Sequence, residues 1–277
     1  MKKRLFCLAL ILICICICSA GMAELRVWFL DVGQGDAIVL SCDEQVILVD
    51  AGTIDAGPSV NRFLREDLGI NKLNAVIATH NHDDHIGGMP AALTGLMTDI
   101  VFSSPSVSVF YWFDNVMPNL LQDSLNVQAP VQGDTFQLGE AVLTFLSRDD
   151  PSLNPNNRSL VIRVDYGNTS LLLTGDAESD EETQLLETDC NIKADVLKIA
   201  HHGGIGSTGN AFLNAVSPEY AIISVGANND HGHPAAETLA LLETHGIQTC
   251  RTDMLGTVTC ISDGEHIAIE VKKVTVN

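Results

Sequence analysis

Hydrophobic positions along this chain follow a strand period early and an alternation of strand and helix periods late. Apolar alternation in Leu25–Leu30, Ala37–Leu40 and Val46–Val49 predicts antiparallel strands. Ser59–Leu68 shifts to helical spacing and precedes an apolar strand, Ala75–Thr79. Ser103–Asn126 carries Phe110, Tyr111, Trp112 and Phe113 without a clear period, so it is expected either to pack as ordinary core or to wall a site. Val161–Val164 and Ser170–Thr174 read as paired strands about the turn Tyr166-Gly167-Asn168. Beyond Asp176 the predicted order is helix (Glu178–Glu187), strand (Ala194–Ala200), helix (Ala211–Val216), strand (Tyr220–Val225) and helix (Ala235–Thr244). A hairpin about Asp253–Gly256 closes the series. Antiparallel strands first and strand–helix alternation later predict an α/β chain of two sheets with helices outside.

The residues ahead of these strands have a different character. Lys2-Lys3-Arg4, the apolar run Leu5–Ile17 and the small-residue exit Ser19-Ala20-Gly21-Met22-Ala23 match a secretory signal cleaved after Ala23. A retained membrane anchor is the second reading, although the run is short of the ~20 residues a span needs. The expected organisation is therefore a leader at 1–23 and one domain over 24–277, secreted or extracytoplasmic. Four of the eight cysteines fall in the leader, leaving Cys42, Cys190, Cys250 and Cys260. Cys250 and Cys260 flank the expected hairpin and are the candidate disulfide, with isolated thiols as the equal alternative. The formal charge is −20, and removing Lys2, Lys3 and Arg4 takes it to −23. Such a surface excludes tight, unassisted binding to a phosphate backbone by charge attraction.

Chemistry concentrates where the strands end. Ile77-Ala-Thr-His80-Asn-His82-Asp-Asp84-His85 places four metal-binding side chains within six residues of an apolar run. Side chains two apart on a strand share a side, so His80 and His82 can grip one ion as the strand ends. The following turn can aim Asp84 and His85 at a second. This donor set suits zinc or a similar divalent metal. Asp176, at the tip of a buried strand, is costly unless paired or metal-bound. His201-His202 and the pair His231 and His233 also follow apolar strands, so one sheet edge can gather seven of the nine histidines. Asp31, Asp36 and Asp50 sit beside glycine or at strand ends, where aspartate caps turns. Asp50 equally suits an acceptor that orients a metal-bound histidine.

Taken together, these residues resemble a known family. His80-x-His82-x-Asp84-His85, Gly175-Asp176 and the later histidines are similar to the metallo-β-lactamase superfamily. The closer resemblance is to the hydrolase domain of ComEC-type competence proteins. It is carried by Phe29-Leu-Asp-Val-Gly-Gln-Gly-Asp-Ala37, Val49-Asp-Ala-Gly52, Asn156-Asn-Arg-Ser-Leu-Val161 and Leu173-Thr-Gly-Asp-Ala-Glu178. Leu197-Lys-Ile-Ala-His-His-Gly203, Gly232-His-Pro234 and Arg251-Thr-Asp253 extend it over nearly all of residues 24–277. The resemblance implies a four-layer αβ/βα sandwich with metals at one edge. The membrane channel of that family has no counterpart here, so a free-standing, exported hydrolase is expected rather than DNA uptake.

One departure concerns the metals. No histidine lies between Ile86 and Gly175, where many two-metal members of the superfamily carry the third ligand of the first site; Asn156 or Asn157 occupies that region. An amide oxygen is a weaker zinc ligand than imidazole, which leaves manganese beside zinc as the expected ion. The implied centre holds two divalent ions: His80 and His82 on the first, Asp84, His85 and His233 on the second, Asp176 bridging. His201 or His202 then holds a phosphate oxygen or protonates the leaving group, and either is an alternative to His233 as last ligand. The expected activity is hydrolysis of a phosphodiester, in nucleic acid or in a small or wall-linked molecule. A lactone or β-lactam hydrolase, and a metal-binding module without turnover, are the alternatives.

Overall fold

The computed structural model describes residues 24–272, so the expected leader and its cleavage site lie outside the described residues. Leu25–Phe29 (β1) turns Leu25, Val27 and Phe29 inward and Arg26 and Trp28 the other way. It pairs antiparallel with Ile38–Cys42 (β2), which returns as Gln45–Val49 (β3) through Asp43-Glu44, both at positive φ as a two-residue hairpin turn requires. Gly57–Arg62 (α1) follows, prolonged by the wider turn Phe63–Asp67. Lys72–Leu73 (β4) leads into Ala75–Ala78 (β5), which lies parallel to β3. Two short helices, Asp83–Ile86 (α2) and Met89–Ala92 (α3), then cross to Met97–Thr98 (β6), the small partner of β4. Val101–Ser103 (β7) continues the parallel set, and after Val109–Tyr111 (α4) Val127–Gln128 (β8) completes it.

The second sheet repeats this plan. Thr135–Leu138 (β9), Ala141–Phe145 (β10), Ile162–Tyr166 (β11) and Thr169–Leu173 (β12) form an antiparallel meander. Val196–Lys198 (β13), Tyr220–Ile223 (β14) and Gln248–Arg251 (β15) add to it in parallel. Ser179–Leu186 (α5), Asn210–Val216 (α6) and Ala236–Thr244 (α7) alternate with those strands. Thr252–Leu255 (α8) then returns the chain to the first sheet, where Thr257–Ser262 (β16) pairs with β1 and Ile267–Lys272 (β17) lies outside it. The orders are β17-β16-β1-β2-β3-β5-β7-β8 and β15-β14-β13-β12-β11-β10-β9.

Three apolar layers follow from strand parity. Between the sheets, Val27, Phe29, Leu40 and Ile47 meet Leu143, Phe145, Ile162, Val164, Leu171 and Leu173. The opposite face of the first sheet packs Val39, Leu48 and Val76 on Val60, Leu64, Met89 and Trp112. The opposite face of the second packs Leu172, Leu197 and Ile223 on Leu185, Phe212, Leu213 and Leu242. Consecutive residues of one strand, Leu171, Leu172 and Leu173, therefore serve two cores in turn. Burial on both faces is why the inner strands read as unbroken apolar runs. Two sheets with helices outside is what the hydrophobic pattern predicts, and the arrangement is the αβ/βα sandwich that the resemblance implies.

One expectation changes, and two that were left open are decided. The turn at Asp253–Gly256 is not a hairpin, because β15 and β16 belong to different sheets. Thr252 Oγ1 accepts from Val225 N at 2.9 Å and lies 3.0 Å from Val225 O, anchoring the crossing to the second sheet. The closing hairpin is β16–β17 instead. Cys250 and Cys260 consequently sit on separate sheets, and both are free thiols. The segment 103–126 is core as well as rim: Trp112 is fully buried with its indole N–H on Ser103 Oγ at 2.9 Å, while Phe110 stays 71% exposed. Among the described residues no helix is long and apolar enough to cross a membrane.

Glu181, in the first turn of α5, is fully buried and neither carboxylate oxygen has a hydrogen-bond partner. Burial pushes its pKa up to about 8, and Arg148 offsets only part of that. The folded state therefore holds a proton that the unfolded chain releases near pH 4.5. Stability from this group is whole below pH 4.5 and is lost as pH rises through 8. Glu181→Gln is expected to raise unfolding free energy by about 1–3 kcal/mol at pH 8.5 and to leave it little changed at pH 4.5. Urea unfolding at the two pH values reads the difference.

Candidate metal centre

Four strand ends supply the site. Asp50 follows β3 at φ +55°, in the left-handed region, which swings its carboxylate beneath the end of β5. There it accepts from Thr79 N at 2.9 Å and from Thr79 Oγ1 at 2.6 Å, and lies 2.7 Å from His85 Nδ1. A carboxylate only accepts, so His85 carries its proton on Nδ1 and turns Nε2 to Asp176 Oδ1 at 3.2 Å. Thr79 has given its one proton to Asp50, so it accepts from His80 Nδ1 at 3.1 Å. Ser159 Oγ lies on the same nitrogen at 3.3 Å and also accepts from Asp176 N at 3.1 Å. His80 Nε2 is thereby left facing Asp176 Oδ2 at 3.7 Å and His82 Nδ1 at 3.1 Å.

The second sheet completes the group with β12 and β13. Asp176 lies beyond β12 and is buried. Its Oδ2 faces His80, and its Oδ1 faces both His85 and His202, the latter at 3.6 Å. His202 Nε2 also lies 3.2 Å from Asp84 Oδ2. Potential ligand atoms of His80, His85 and Asp176 lie within 4.8 Å of one another, as do those of Asp84, His85 and His202. The loop after β1 fits tightly here: a Cβ on Gly35 would stand 2.2 Å from the Asp84 carbonyl oxygen, so glycine is required.

Backbone strain separates the two adjacent histidines. His201 and His202 both have positive φ, +50° and +54°, and Gly203 follows at +80°. Two non-glycine residues in this region cost about 1–3 kcal/mol each. The result is that neighbouring rings point apart. His202 is buried among the carboxylates; His201 stays 26% exposed, with Nδ1 3.3 Å from Glu178 Oε1 and Nε2 4.0 Å from Asp176 Oδ2. Glu178 is itself held by the amides of Asn154 at 2.9 Å, Asn156 at 2.8 Å and Asn157 at 3.3 Å.

His233 stands further out. Its ring centroid is 5.2 Å from His201 and 6.3 Å from His202, and it stacks on exposed His231 at 5.6 Å. It joins none of the ligand groups found among the described residues; His202 takes that place beside Asp84 and His85. His233 still borders the mouth, since a Cβ on Gly204 would lie 2.8 Å from its Nε2. Of the two asparagines, Asn157 is committed: its Oδ1 accepts from Glu178 N at 2.9 Å and Glu181 N at 3.1 Å, serving the start of α5. Asn156 Oδ1 is buried with no partner. Asp31 does cap a turn, accepting from Gly33 N at 3.3 Å.

Charge accounts for the rest. Burial opposes ionisation of Asp176, but His85, His202 and His80 together hold it well below the usual carboxylate range. Burial likewise opposes a charge on His85, and Asp176 and Asp50 more than offset it, holding that ring well above the usual range. His202 is raised to about 9 by Asp176, Asp36 and Asp84 against its burial. Burial pushes His80 well down. Asp176 Oδ1, His85 Nε2 and His202 Nε2 are all buried, without hydrogen-bond partners, and face one another. Buried polar atoms normally find partners. A divalent cation satisfies all three at once, so the donor set fits a metal. Lys198, Asp36, Glu178 and Asn154 escaped the sequence reading as contributors; only Asp36 carried a signal, an aspartate in a glycine-flanked loop.

Comparison with known proteins agrees with this fold. Residues 30–227 match the sequence profile of the metallo-beta-lactamase superfamily. ComE operon protein 3 of Bacillus subtilis is 32% identical over 254 residues, spanning 85% of this chain and 33% of that protein. The chain thus covers about a third of that relative's length. Zinc-bound PqqB from Methylobacterium extorquens superposes with a TM-score of 0.57 at 13% identity, over 82% of this chain and 97% of that one. A diphosphatase of the PhnP family superposes at 0.50 with 15% identity, over 86% and 98%. The paired sheets, the ligand groups at their shared edge and the profile match together make this chain a member of the metallo-β-lactamase superfamily, with the metal-dependent hydrolase fold.

Proposed function

We propose that this protein is an exported, two-metal phosphodiesterase. The observation that carries it is the Asp176 carboxylate, whose two buried oxygens face different histidines, Oδ2 towards His80 and Oδ1 towards His85 and His202. That is the arrangement of a bridging ligand. His80, His82 and Asp176, with Asn156 Oδ1 as the weaker donor, would hold one ion; Asp84, His85, His202 and Asp176 would hold the other. Bound divalent ions supply Lewis acidity toward a phosphoryl oxygen and make water a stronger acid.

The surrounding residues do the remaining work. Asp50 and Thr79 keep the His85 and His80 rings turned inward. His201, at the mouth, is placed to donate to the departing oxygen, with Glu178 behind its Nδ1 and three asparagines fixing Glu178. The strongly acidic chain disfavours long polyanions, which supports a small or wall-linked phosphodiester over duplex nucleic acid. The likeness to a PhnP-family diphosphatase supports phosphoryl chemistry. Export rests on residues 1–23, and protein recovered outside the cytoplasm is expected to begin at Glu24 by intact-mass measurement.

Purified protein with zinc or manganese is expected to cleave bis-nitrophenyl phosphate, and Asp84→Ala to lose this by about 10²-fold or more. Turnover of nitrocefin alone would overturn the phosphodiester reading in favour of a lactamase. Zinc bound without turnover of any substrate would favour a binding module. His201→Gln is expected to cost about 10²-fold on an alkyl phosphodiester and much less on the nitrophenyl ester, whose leaving group needs no proton. Equal losses on both would remove the donor role.

Metal binding must displace the protons that His85 and His202 hold at neutral pH. Because both rings are raised, His202 to about 9, affinity falls as pH falls. Zinc affinity by equilibrium dialysis is expected to drop at least about tenfold from pH 8 to pH 6. A flat profile would show that these rings are not ligands.

A further inference from the structure

One fully buried ion pair joins the two sheets immediately behind the metal centre. Lys198, at the end of β13, has no exposed side-chain surface, and its Nζ lies 2.9 Å from Asp36 Oδ2. The same ammonium donates to the Ile199 carbonyl at 2.9 Å. Asp36 belongs to the loop between β1 and β2 and is equally buried. Removing both charges from water is unfavourable, and apolar residues of similar volume would pack this position as well or better. A requirement other than packing is indicated.

The free ends of the pair show what it acts on. Asp36 Oδ1 is buried without a hydrogen-bond partner and stands 3.4 Å from His202 Nδ1. That nitrogen also lies 2.9 Å from the Ser224 carbonyl oxygen, which can only accept. His202 therefore carries a proton on Nδ1 and presents Nε2 to Asp84 and Asp176. Asp36 reaches Asp84 as well, through the backbone: Asp36 N donates to the Asp84 carbonyl at 3.1 Å. Its own carbonyl accepts from Gly52 N at 2.7 Å, next to Asp50 and Ala51. One residue thus touches the strand end bearing Asp50, the helix bearing Asp84 and the ring of His202.

We propose that Asp36, held by Lys198, is a positioning residue that sets the second metal site by registering Asp84 of the first sheet against His202 of the second. This rests on the two-metal reading above. Lys198 fixes the carboxylate in rotation; without it, Asp36 would be an isolated buried charge that turns toward water or takes up a proton. Neither residue touches the ion or the substrate. Their effect is on how well one ion is held, with the other site left intact.

The test uses the full protein and zinc alone, with binding followed by equilibrium dialysis and elemental analysis. Lys198→Met leaves Asp36 unpaired and is expected to destabilise the fold, so the informative variants are Asp36→Asn/Lys198→Met, which removes both charges, and Lys198→Arg, which keeps the cation. The double variant is expected to melt cooperatively, to bind one zinc as wild type does, and to hold the second about 10–100-fold more weakly. Lys198→Arg is expected to restore most of that affinity. Two zinc ions held within threefold of wild type by the folded double variant would overturn the proposal and leave the metal centre standing. Wild type binding no zinc would instead remove the two-metal reading itself. A measurement that needs no variant is a ¹⁵N-edited spectrum of the zinc-loaded protein: a slowly exchanging His202 Nδ1 proton is expected, and a proton on Nε2 would overturn the proposal even if the double variant fails to fold.

Discussion

A carboxylate that cannot reach water organises this molecule. Asp176 is only 2% exposed and stands within 3.2–3.7 Å of three imidazoles, each as buried as itself. A charge in that position survives only with positive charge beside it. Positive charge can come from the His85 and His202 rings, both raised above the usual imidazole range, or from a bound cation. Behind those rings the signs continue to alternate outward. Asp50 backs His85, Asp36 backs His202, and Lys198 backs Asp36. Each layer compensates the one inside it, which explains how so many ionisable groups remain buried at the edge of an apolar sandwich.

Where the chain places these groups is a matter of strand direction. The parallel strands of each sheet send their carboxyl ends to the same edge, and the loops leaving them carry the candidate ligands. Rigid strands on two sheets hold what is otherwise a loop-built site, and the strained turn at His201–Gly203 divides two adjacent histidines between the interior and the mouth. Strain of this kind persists only where surrounding contacts over-determine it. Here the His201 N–H on the Gly175 carbonyl and the Gly204 N–H on the His201 carbonyl do so, at 3.2 and 2.7 Å.

Much of this was legible in the order of residues, for a reason that differs from group to group. His80, His82, Asp84 and His85 are close in sequence and need only a strand end and a turn to converge. Asp176 declares itself because an aspartate at the tip of an apolar strand is anomalous. Which of the later histidines faces inward was not legible: the choice among His201, His202 and His233 depends on two positive φ angles that no periodicity encodes. Asn156 and Asn157 are equivalent in sequence, and only the start of α5 distinguishes them by consuming Asn157. Nothing in the sequence marks Lys198 as the partner of Asp36, because the two are far apart along the chain and belong to different sheets. The misplaced hairpin at Asp253–Gly256 has the same origin. Two short apolar runs joined by a turn look alike whether they pair with each other or with different sheets, and β9 was hidden because Thr135 and Gln137 are exposed and polar.

The return of the chain from β15 to β16 carries a consequence for how the molecule comes to exist. β1 lies between β2 and β16, so the earliest strand of the domain has an open flank until the latest hairpin has been made. The first sheet therefore cannot be completed until the last two strands of the domain, β16 and β17, are available.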